Sequence, residues 1–104
     1  MPKAKRGDIC MADLGMIAKV RPVLILSVEY QDNERAVVTY VVRTTSTRDT
    51  QYEVPHEERG MKGGAFDAQG MVTIPDVKLE RRISRVSTET MAEVETAVRH
   101  WLAL

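Results

Sequence analysis

At the centre of the β pattern in this sequence lies the run Val23-Leu24-Ile25-Leu26-Ser27-Val28, directly after Pro22. The run is a nearly continuous stretch of branched apolar side chains, which is typical of a strand buried on both faces. We therefore predict that it forms the central strand of the domain. Its wholly apolar part, residues 23–26, is far shorter than the roughly 20 residues that cross a bilayer, so the sequence predicts no membrane segment.

Strand-like segments lie on both sides of this run. Residues 9–14 alternate weakly and end at Gly15, whereas residues 36–42 are rich in β-branched and aromatic side chains. The polar residues 31–34 supply turn chemistry, so the second and third segments are predicted to form a hairpin. Three shorter strand candidates follow, at residues 52–54, 70–74 and 82–86. Residues 56–64 combine charge with three glycines, which predicts a loop.

The clearest predicted element is a C-terminal helix that begins after Ser87. Ser87 is well placed as the N-cap, and Glu89 brings negative charge to the first turn, where the helix dipole favours it. Apolar side chains then recur at spacings of three and four and form one stripe that can pack on a sheet. They are Met91, Val94, Val98 and Trp101. Several short strands and one amphipathic helix predict a mainly β fold, a strongly bent antiparallel sheet or small barrel with the helix closing one side.

Length and composition restrict the class of protein further. A chain of 104 residues predicts a single domain over residues 1–104. The lone Cys10 cannot form an internal disulfide and residues 1–8 hold no apolar signal core, so we expect a cytoplasmic protein. Fifteen Lys and Arg residues balance fifteen Asp and Glu residues, so a nucleic-acid surface would need its positive charge concentrated locally. One cysteine and two widely separated histidines show no zinc-ligand spacing, so no metal or other cofactor is predicted.

Three segments in series carry a family resemblance. They are Lys5-Arg6-Gly7-Asp8-Ile9, Arg21-Pro22-Val23-Leu24-Ile25-Leu26-Ser27 and Val41-Val42-Arg43-Thr44-Thr45-Ser46. In this order and spacing the chain resembles the MazF/PemK family of toxins, the growth-inhibiting partners of bacterial toxin–antitoxin pairs. The resemblance runs from about residue 5 to the C-terminal helix. It implies an SH3-like β-barrel, a homodimer and a metal-independent endoribonuclease that cuts single-stranded RNA at short sequences, with an antitoxin that blocks the RNA groove.

The resemblance also implies a catalytic pair, Arg21 and Thr44, with Thr45 or Ser46 taking the hydroxyl role if the register differs by one residue. RNA carries its own nucleophile, the 2′-hydroxyl, so an enzyme needs chiefly to align it and to stabilise phosphoryl charge. A guanidinium fork suits two phosphate oxygens, and a hydroxyl beside it can donate one more hydrogen bond. Because the pKa of arginine lies above ~12, Arg21 is assigned to charge stabilisation and leaving-group protonation, and the general base stays unidentified. Gly7 and Asp8 are predicted to be structural, as a turn and a cap of backbone donors.

Further residues are candidates for RNA binding. Lys19 is the only charged residue between Gly15 and Arg21, where it could touch a phosphate or merely solvate a short turn. Asp67 and Gln69 lie near the position where relatives often carry an acidic residue, so Asp67 is a candidate base and Gln69 a possible replacement for the acid. The densest basic cluster consists of Lys78, Arg81, Arg82 and Arg85. Strand alternation would put Arg81 and Arg85 on one face. That face could follow an RNA backbone, receive an acidic antitoxin tail, or be a charged strand edge that resists aggregation.

Two other functions remain open at this point. The same architecture serves gyrase-poisoning toxins, in which residues near the C-terminal end would matter, although Trp101 fits a core role better. A toxin-like subunit without catalysis is the other alternative, because residues 15–20 lack the acid that many relatives carry there. His56 could transfer protons, but a lone loop histidine is usually only solvated.

Overall fold

The computed structural model describes residues 3–15 and 19–104 of the chain. Six β-strands and one α-helix form the described part, and one turn of 3₁₀ helix, Asp76–Lys78, joins the last two strands. The elements are β1 (Asp8–Asp13), β2 (Val20–Ile25), β3 (Val37–Thr44), β4 (Glu53–His56), β5 (Gly64–Pro75), β6 (Leu79–Arg85) and α1 (Thr88–Leu102).

The strands form a single antiparallel sheet in the order β4-β5-β3-β2-β1-β6. The predicted mainly β fold with a C-terminal helix is therefore confirmed, as are the central position of β2 and its hairpin with β3. Across the described residues the hydrogen bonding leaves β4 and β6 as edges, so the sheet is open and does not close into the SH3-like barrel that the family resemblance implies.

The central strand is buried on both faces, as its unbroken apolar pattern predicts. Val23, Leu24 and Ile25 all have no exposed surface. Because successive side chains point to opposite faces, Val23 and Ile25 pack into one hydrophobic cluster while Leu24 packs into a second one. The second cluster also contains Val94 and Ala97, so α1 covers that face of the sheet.

Several strand boundaries differ from the prediction. β2 runs over Val20–Ile25 rather than over residues 23–28, and β6 begins at Leu79 rather than at residue 82. β5 begins at Gly64 rather than at residue 70, and β4 extends to His56, so part of the predicted loop is strand. The first half of β5 was missed because this strand contains a bulge: Val41 pairs with Met71, but Val42 pairs with Asp67. The intervening residues interrupt the simple alternation along the strand, and they hide its first half from a pattern of period two.

The helix begins and ends with recognisable caps. The hydroxyl of Ser87 accepts a hydrogen bond of 3.1 Å from the backbone N–H of Thr90, which confirms the predicted N-cap. At the other end Ala103 adopts a left-handed conformation with φ 57°. The predicted core role of Trp101 is wrong, because 44% of the side chain is exposed and its ring packs edge-on against Tyr52 at a centroid distance of 5.3 Å. Within the two described ranges, no helix is both long enough and apolar enough to cross a membrane.

Candidate active site

Arg21 and Thr44 lie at the same end of the hairpin that β2 and β3 form. The last pair of the ladder between these strands is Val23 with Val42. Arg21 lies two residues before Val23 on β2, and Thr44 lies two residues after Val42 at the end of β3. Because residues two apart on a strand share a face, both side chains project from the face opposite α1. Both are partly exposed, so a ligand can reach them.

The hydroxyl group of Thr44 is oriented by the turn that follows β3. Its Oγ1 atom accepts a hydrogen bond of 3.0 Å from the backbone N–H of Ser46. That bond uses a lone pair of the oxygen and leaves the hydroxyl hydrogen available for donation. Thr45 and Ser46 themselves are exposed in the turn. The oxygen of Thr44 is therefore fixed by the turn, and the roles of the three hydroxyl groups stay predictions.

Asp67 lies on β5 beside the same strand end. It pairs with Val42, so its carboxylate is on the face that carries Thr44. One of its oxygens, Oδ1, accepts a hydrogen bond of 2.9 Å from the backbone N–H of Gln69, and Gln69 is exposed. The structure thus brings Asp67 and Gln69 to the neighbourhood of Thr44, whereas the base role of Asp67 remains a prediction.

Lys19 lies at the end of the turn that leads into β2. Its backbone N–H donates to the carbonyl oxygen of Gly15 at 2.9 Å, and its φ of 55° lies in the left-handed region. The side chain is exposed and close in sequence to Arg21. The rest of the predicted short loop, residues 16–18, lies outside the described residues.

The basic cluster on β6 is arranged differently from the prediction. Arg81 pairs with Met11 and Arg82 with Cys10, but Ile83 is bulged out before Ser84 pairs with Ile9. The bulge reverses the alternation, so the expectation that Arg81 shares a face with Arg85 is wrong. Arg82 and Arg85 instead share a face, and this is the face that carries the Thr44 site, because Cys10 is on the side of Val23.

Asp8 lies between Arg82 and Arg85 on this face. Its carboxylate is only 3% exposed, and its Oδ1 atom lies 2.6 Å from Nη1 of Arg85 and 3.8 Å from Nη1 of Arg82. Its Oδ2 atom accepts from the backbone N–H of Lys5 at 2.9 Å, while Gly7 takes the turn at φ +94°. The predicted structural role of Gly7 and Asp8 is confirmed, and two of the three candidate arginines are partly neutralised by that aspartate.

A polar cavity of about 470 Å³ opens where β3 runs towards β4. Hydroxyl groups and carboxylates line it, and its main polar residues are Thr45, Thr47, Asp49, Thr50, Glu53 and Glu57. The carboxylate of Glu53 accepts hydrogen bonds from the backbone N–H groups of Arg48 and Thr50, so it also shapes the turn. Because carboxylates only accept hydrogen bonds and repel anions, this lining suits a ligand with N–H donors and disfavours a phosphate group.

The sequence prediction missed a buried hydrogen-bond network on the face of β3 opposite Thr44. Arg43 is 3% exposed and His56 is 9% exposed, so the expectation of a solvated His56 is wrong. Nε of Arg43 donates to Nδ1 of His56 at 3.0 Å, and Nε2 of His56 lies 3.4 Å from Oε1 of Glu58. Burial lowers the pKa of Arg43, and burial together with the Arg43 charge lowers the pKa of His56. The sequence did hold a signal of this burial. Arg43 lies two residues after the apolar Val41 on β3, so both side chains project from the same face.

Among residues 3–15 and 19–104, no group of three or more His, Cys, Asp or Glu side chains is arranged to hold a metal ion. The buried thiol of Cys10 is also unsuited to chemistry, because burial raises its pKa to about 11 and disfavours the reactive thiolate.

Comparison with known families identifies the fold. Residues 5–102 match the family of PemK-like, MazF-like toxins of type II toxin–antitoxin systems. The chain belongs to this family. The match covers the strands that carry Arg21 and Thr44 as well as α1. A comparison with curated protein sequences finds no match.

Solved structures of MazF-like proteins share this architecture along almost their whole length. An endoribonuclease in complex with its cognate antitoxin, from a mycobacterial species, superposes with a TM-score of 0.84 at 27% identity and covers 97% of this chain and 96% of its own. The Mycobacterium tuberculosis toxin MazF-mt6 gives a TM-score of 0.81 at 27% identity and covers 93% and 97%. A MazE–MazF structure from Deinococcus radiodurans gives 0.84 at 15% identity, covering 100% and 99%, and at that identity the likeness concerns the fold alone.

Proposed function

We propose that this protein is an endoribonuclease toxin that cleaves single-stranded messenger RNA at short sequences without a metal ion. The observation that supports the proposal is that Arg21 and Thr44 each lie two residues beyond the last pair of the β2–β3 ladder, on the face opposite α1. Family membership supports the toxin role. Two similar structures of about this size, at 27% and 26% identity, are described as endoribonucleases, which supports RNA as the substrate.

In the proposed reaction the 2′-oxygen attacks the adjacent phosphorus and the bond from phosphorus to the 5′-oxygen breaks. The products are a 2′,3′-cyclic phosphate and a 5′-hydroxyl. Arg21 and the Thr44 hydroxyl donate to the non-bridging oxygens, where negative charge develops in the transition state. The 2′-hydroxyl proton passes to a base, for which Asp67 is the candidate, and the leaving oxygen takes a proton from Arg21 or from water. Thr45 is the alternative hydroxyl donor.

RNA on either side of the scissile bond would contact the remaining candidates. Lys19 and Ser46 lie next to the catalytic pair in sequence and are exposed, so they suit phosphate or sugar contacts. Gln69 is exposed beside Asp67, and an amide can hydrogen-bond a splayed base edge. On β6, Arg82 and Arg85 would extend the surface on the face of Thr44, and Arg81, exposed on the opposite face, would contact RNA that bends round this edge of the sheet. These exposed guanidinium groups supply local positive charge in a chain whose net charge is zero, and Asp8 partly neutralises two of them.

We further propose that the protein acts in the cytoplasm as a homodimer and is neutralised by an acidic antitoxin. The mycobacterial relative with 27% identity is bound to its cognate antitoxin, which supports a partner of this kind. An acidic antitoxin segment would compete with RNA for the arginine surface because both are negatively charged. A two-fold assembly would join two open sheets into one composite groove.

The test uses single-stranded RNA incubated with the purified protein in EDTA, followed by mapping of the cleaved ends. We expect cleavage with cyclic-phosphate and 5′-hydroxyl ends, and we expect Arg21→Ala to reduce kcat by about 10²–10³-fold. Thr44→Val should reduce kcat strongly, whereas Thr44→Ser keeps the hydroxyl and should retain most of it. Arg35→Ala and Thr96→Val are matched controls, because Arg35 lies in the β2–β3 turn and the Thr96 hydroxyl donates to Ala92 within α1. Intact RNA, or cleavage that survives Arg21→Ala, contradicts the proposal.

A further inference from the structure

Arg43 is a buried cation, and its two hydrogen-bond acceptors both belong to His56, which carries no charge when Nδ1 accepts a hydrogen bond. Its Nε atom donates to Nδ1 of His56 at 3.0 Å, and its Nη2 atom donates to the carbonyl oxygen of His56 at 2.9 Å. Removing a guanidinium from water is costly unless its donors are satisfied, and here both bonds go to one residue. Losing the side-chain acceptor of His56 would leave part of a buried charge unsatisfied.

The side chain of Arg43 reaches its partner by crossing a whole strand. β5 lies between β3, which carries Arg43, and β4, which carries His56. The crossing occurs at Gly64, where an added Cβ atom would come within 3.0 Å of Nη1 of Arg43 and would collide with the carbonyl oxygen of Thr44. Glycine at this position therefore makes room for the guanidinium. The Arg43–His56 contact therefore links β3 to β4 across β5, next to Thr44.

The ring of His56 is held in one orientation from two other sides. Phe66 stacks against it at a centroid distance of 4.7 Å, and Oε1 of Glu58 lies 3.4 Å from Nε2. Because Arg43 is always a donor, Nδ1 of His56 must be the acceptor, which puts the ring proton on Nε2, facing Glu58. The buried arrangement thus requires an acceptor at the Nδ1 position.

Arg43 precedes Thr44, and the two side chains project from opposite faces of β3. With so little exposed surface, Arg43 does not itself contact RNA. We infer that Arg43 and His56 are positioning residues, which fix the end of β3 from behind so that the Thr44 hydroxyl stays aligned with the scissile phosphate. This inference rests on the proposed ribonuclease function. A shift of about 1 Å at a reacting group can cost up to about 10²-fold in rate, so such fastening would matter.

The experiment compares two amide replacements of His56. In His56→Asn the amide oxygen hangs from Cγ as Nδ1 does and can still accept from Arg43, whereas in His56→Gln the amide lies one bond further out. Both variants lose the stacking on Phe66, so that loss cancels in the comparison. At a temperature where circular dichroism shows both variants folded, we expect His56→Gln to lose about 10–100-fold in kcat with KM changed less than about threefold. His56→Asn should stay within about threefold of the unmodified protein in kcat.

A second measurement reports on position without catalysis. The backbone amide of Ser46 donates to Oγ1 of Thr44, so its NMR chemical shift follows the placement of that hydroxyl. We expect this signal to move in His56→Gln and to stay in place in His56→Asn. If the unmodified protein leaves RNA intact, the ribonuclease proposal fails, and the Ser46 signal still decides whether His56 positions Thr44. Equal Ser46 shifts in the two variants, or equal kcat values, overturn the inference.

Discussion

The carboxylate of Asp8 accepts a hydrogen bond of 2.6 Å from Nη1 of Arg85, a residue 77 positions further along the chain. Asp8 is buried and also caps the backbone N–H of Lys5, so it joins the first strand to the last one. We expect Asp8→Ala to lower the free energy of unfolding by about 2–4 kcal/mol, measured by urea denaturation. Arg85→Ala should cost less, about 1 kcal/mol, because that side chain is 51% exposed and water screens the pair. Asp32→Ala, in an exposed turn, is the control, and a cost at Asp8 no greater than at Asp32 would refute this role.

Arg81 and Arg82 should report which face of β6 contacts RNA. Arg82 projects from the face of Thr44, whereas Arg81 projects from the opposite face. Arg82→Ala should weaken the binding of an RNA with a 2′-deoxy scissile residue and lower the salt slope of log K by about 1, and Arg81→Ala should change both quantities less. Fluorescence anisotropy across a salt series measures this. A larger loss of affinity in Arg81→Ala than in Arg82→Ala would contradict RNA binding on the Thr44 face.

Gly64 and Gly63 offer a matched pair of glycines. A Cβ atom at Gly64 would collide with the carbonyl oxygen of Thr44, whereas a Cβ atom at Gly63 would meet nothing within 4 Å. We therefore expect Gly64→Ala to destabilise the fold by about 1–3 kcal/mol, since overpacking forces the strand ends apart, and to reduce RNA cleavage. Gly63→Ala should do neither. Thermal unfolding and an initial-rate assay test both, and equal behaviour of the two variants would disprove the close approach.

The stability of the fold should depend on pH through His56. Burial and the charge of Arg43 hold the pKa of His56 below its usual 6.5, and the opposing effect of Glu58 does not restore it. Since the folded state then binds fewer protons than the unfolded one, the contribution of neutral His56 is complete above about pH 6.5 and is lost as pH falls towards the folded pKa. The free energy of unfolding should decline in that window by at most about 1.4 kcal/mol per pH unit from this group.

Comparison with His56→Asn isolates this contribution, because asparagine does not titrate. Urea titrations between pH 8 and pH 5 should show a steeper decline for the unmodified protein than for the variant. Parallel curves would mean that His56 titrates alike in the folded and unfolded states.

The sequence predicted those elements whose signals are local. The apolar run after Pro22 predicted a central strand that is buried on both faces at residues 23–25, although the strand ends at Ile25 and not at Val28. Ser87 predicted the helix start, and residues 31–34 predicted the β2–β3 hairpin. The hairpin matters most for the site, because its register relates Arg21 to Thr44 through strands that are neighbours in sequence. Each of these signals depends on side chains a few residues apart, which is the range over which backbone propensities and caps act.

Other features could not be predicted from a local sequence pattern. The bulge at Ile83 changed which arginines of β6 share a face, and the bulge in β5 hid the start of that strand. A bulge depends on how two strands settle against each other, so the sequence of one strand does not reveal it. His56 was placed in a loop because its strand is short and lies at an edge of the sheet.

The sequence by itself determined the mainly β class, the central strand, the capped helix and the pairing of the two strands that bear Arg21 and Thr44. Only the tertiary structure decided that Arg43 reaches across Gly64 to His56 and that Asp8 receives Arg85. The physical reason is that local conformation follows from propensity and periodicity, whereas the partner of a buried charge depends on which distant strands become neighbours. That choice is made by the packing of the whole sheet.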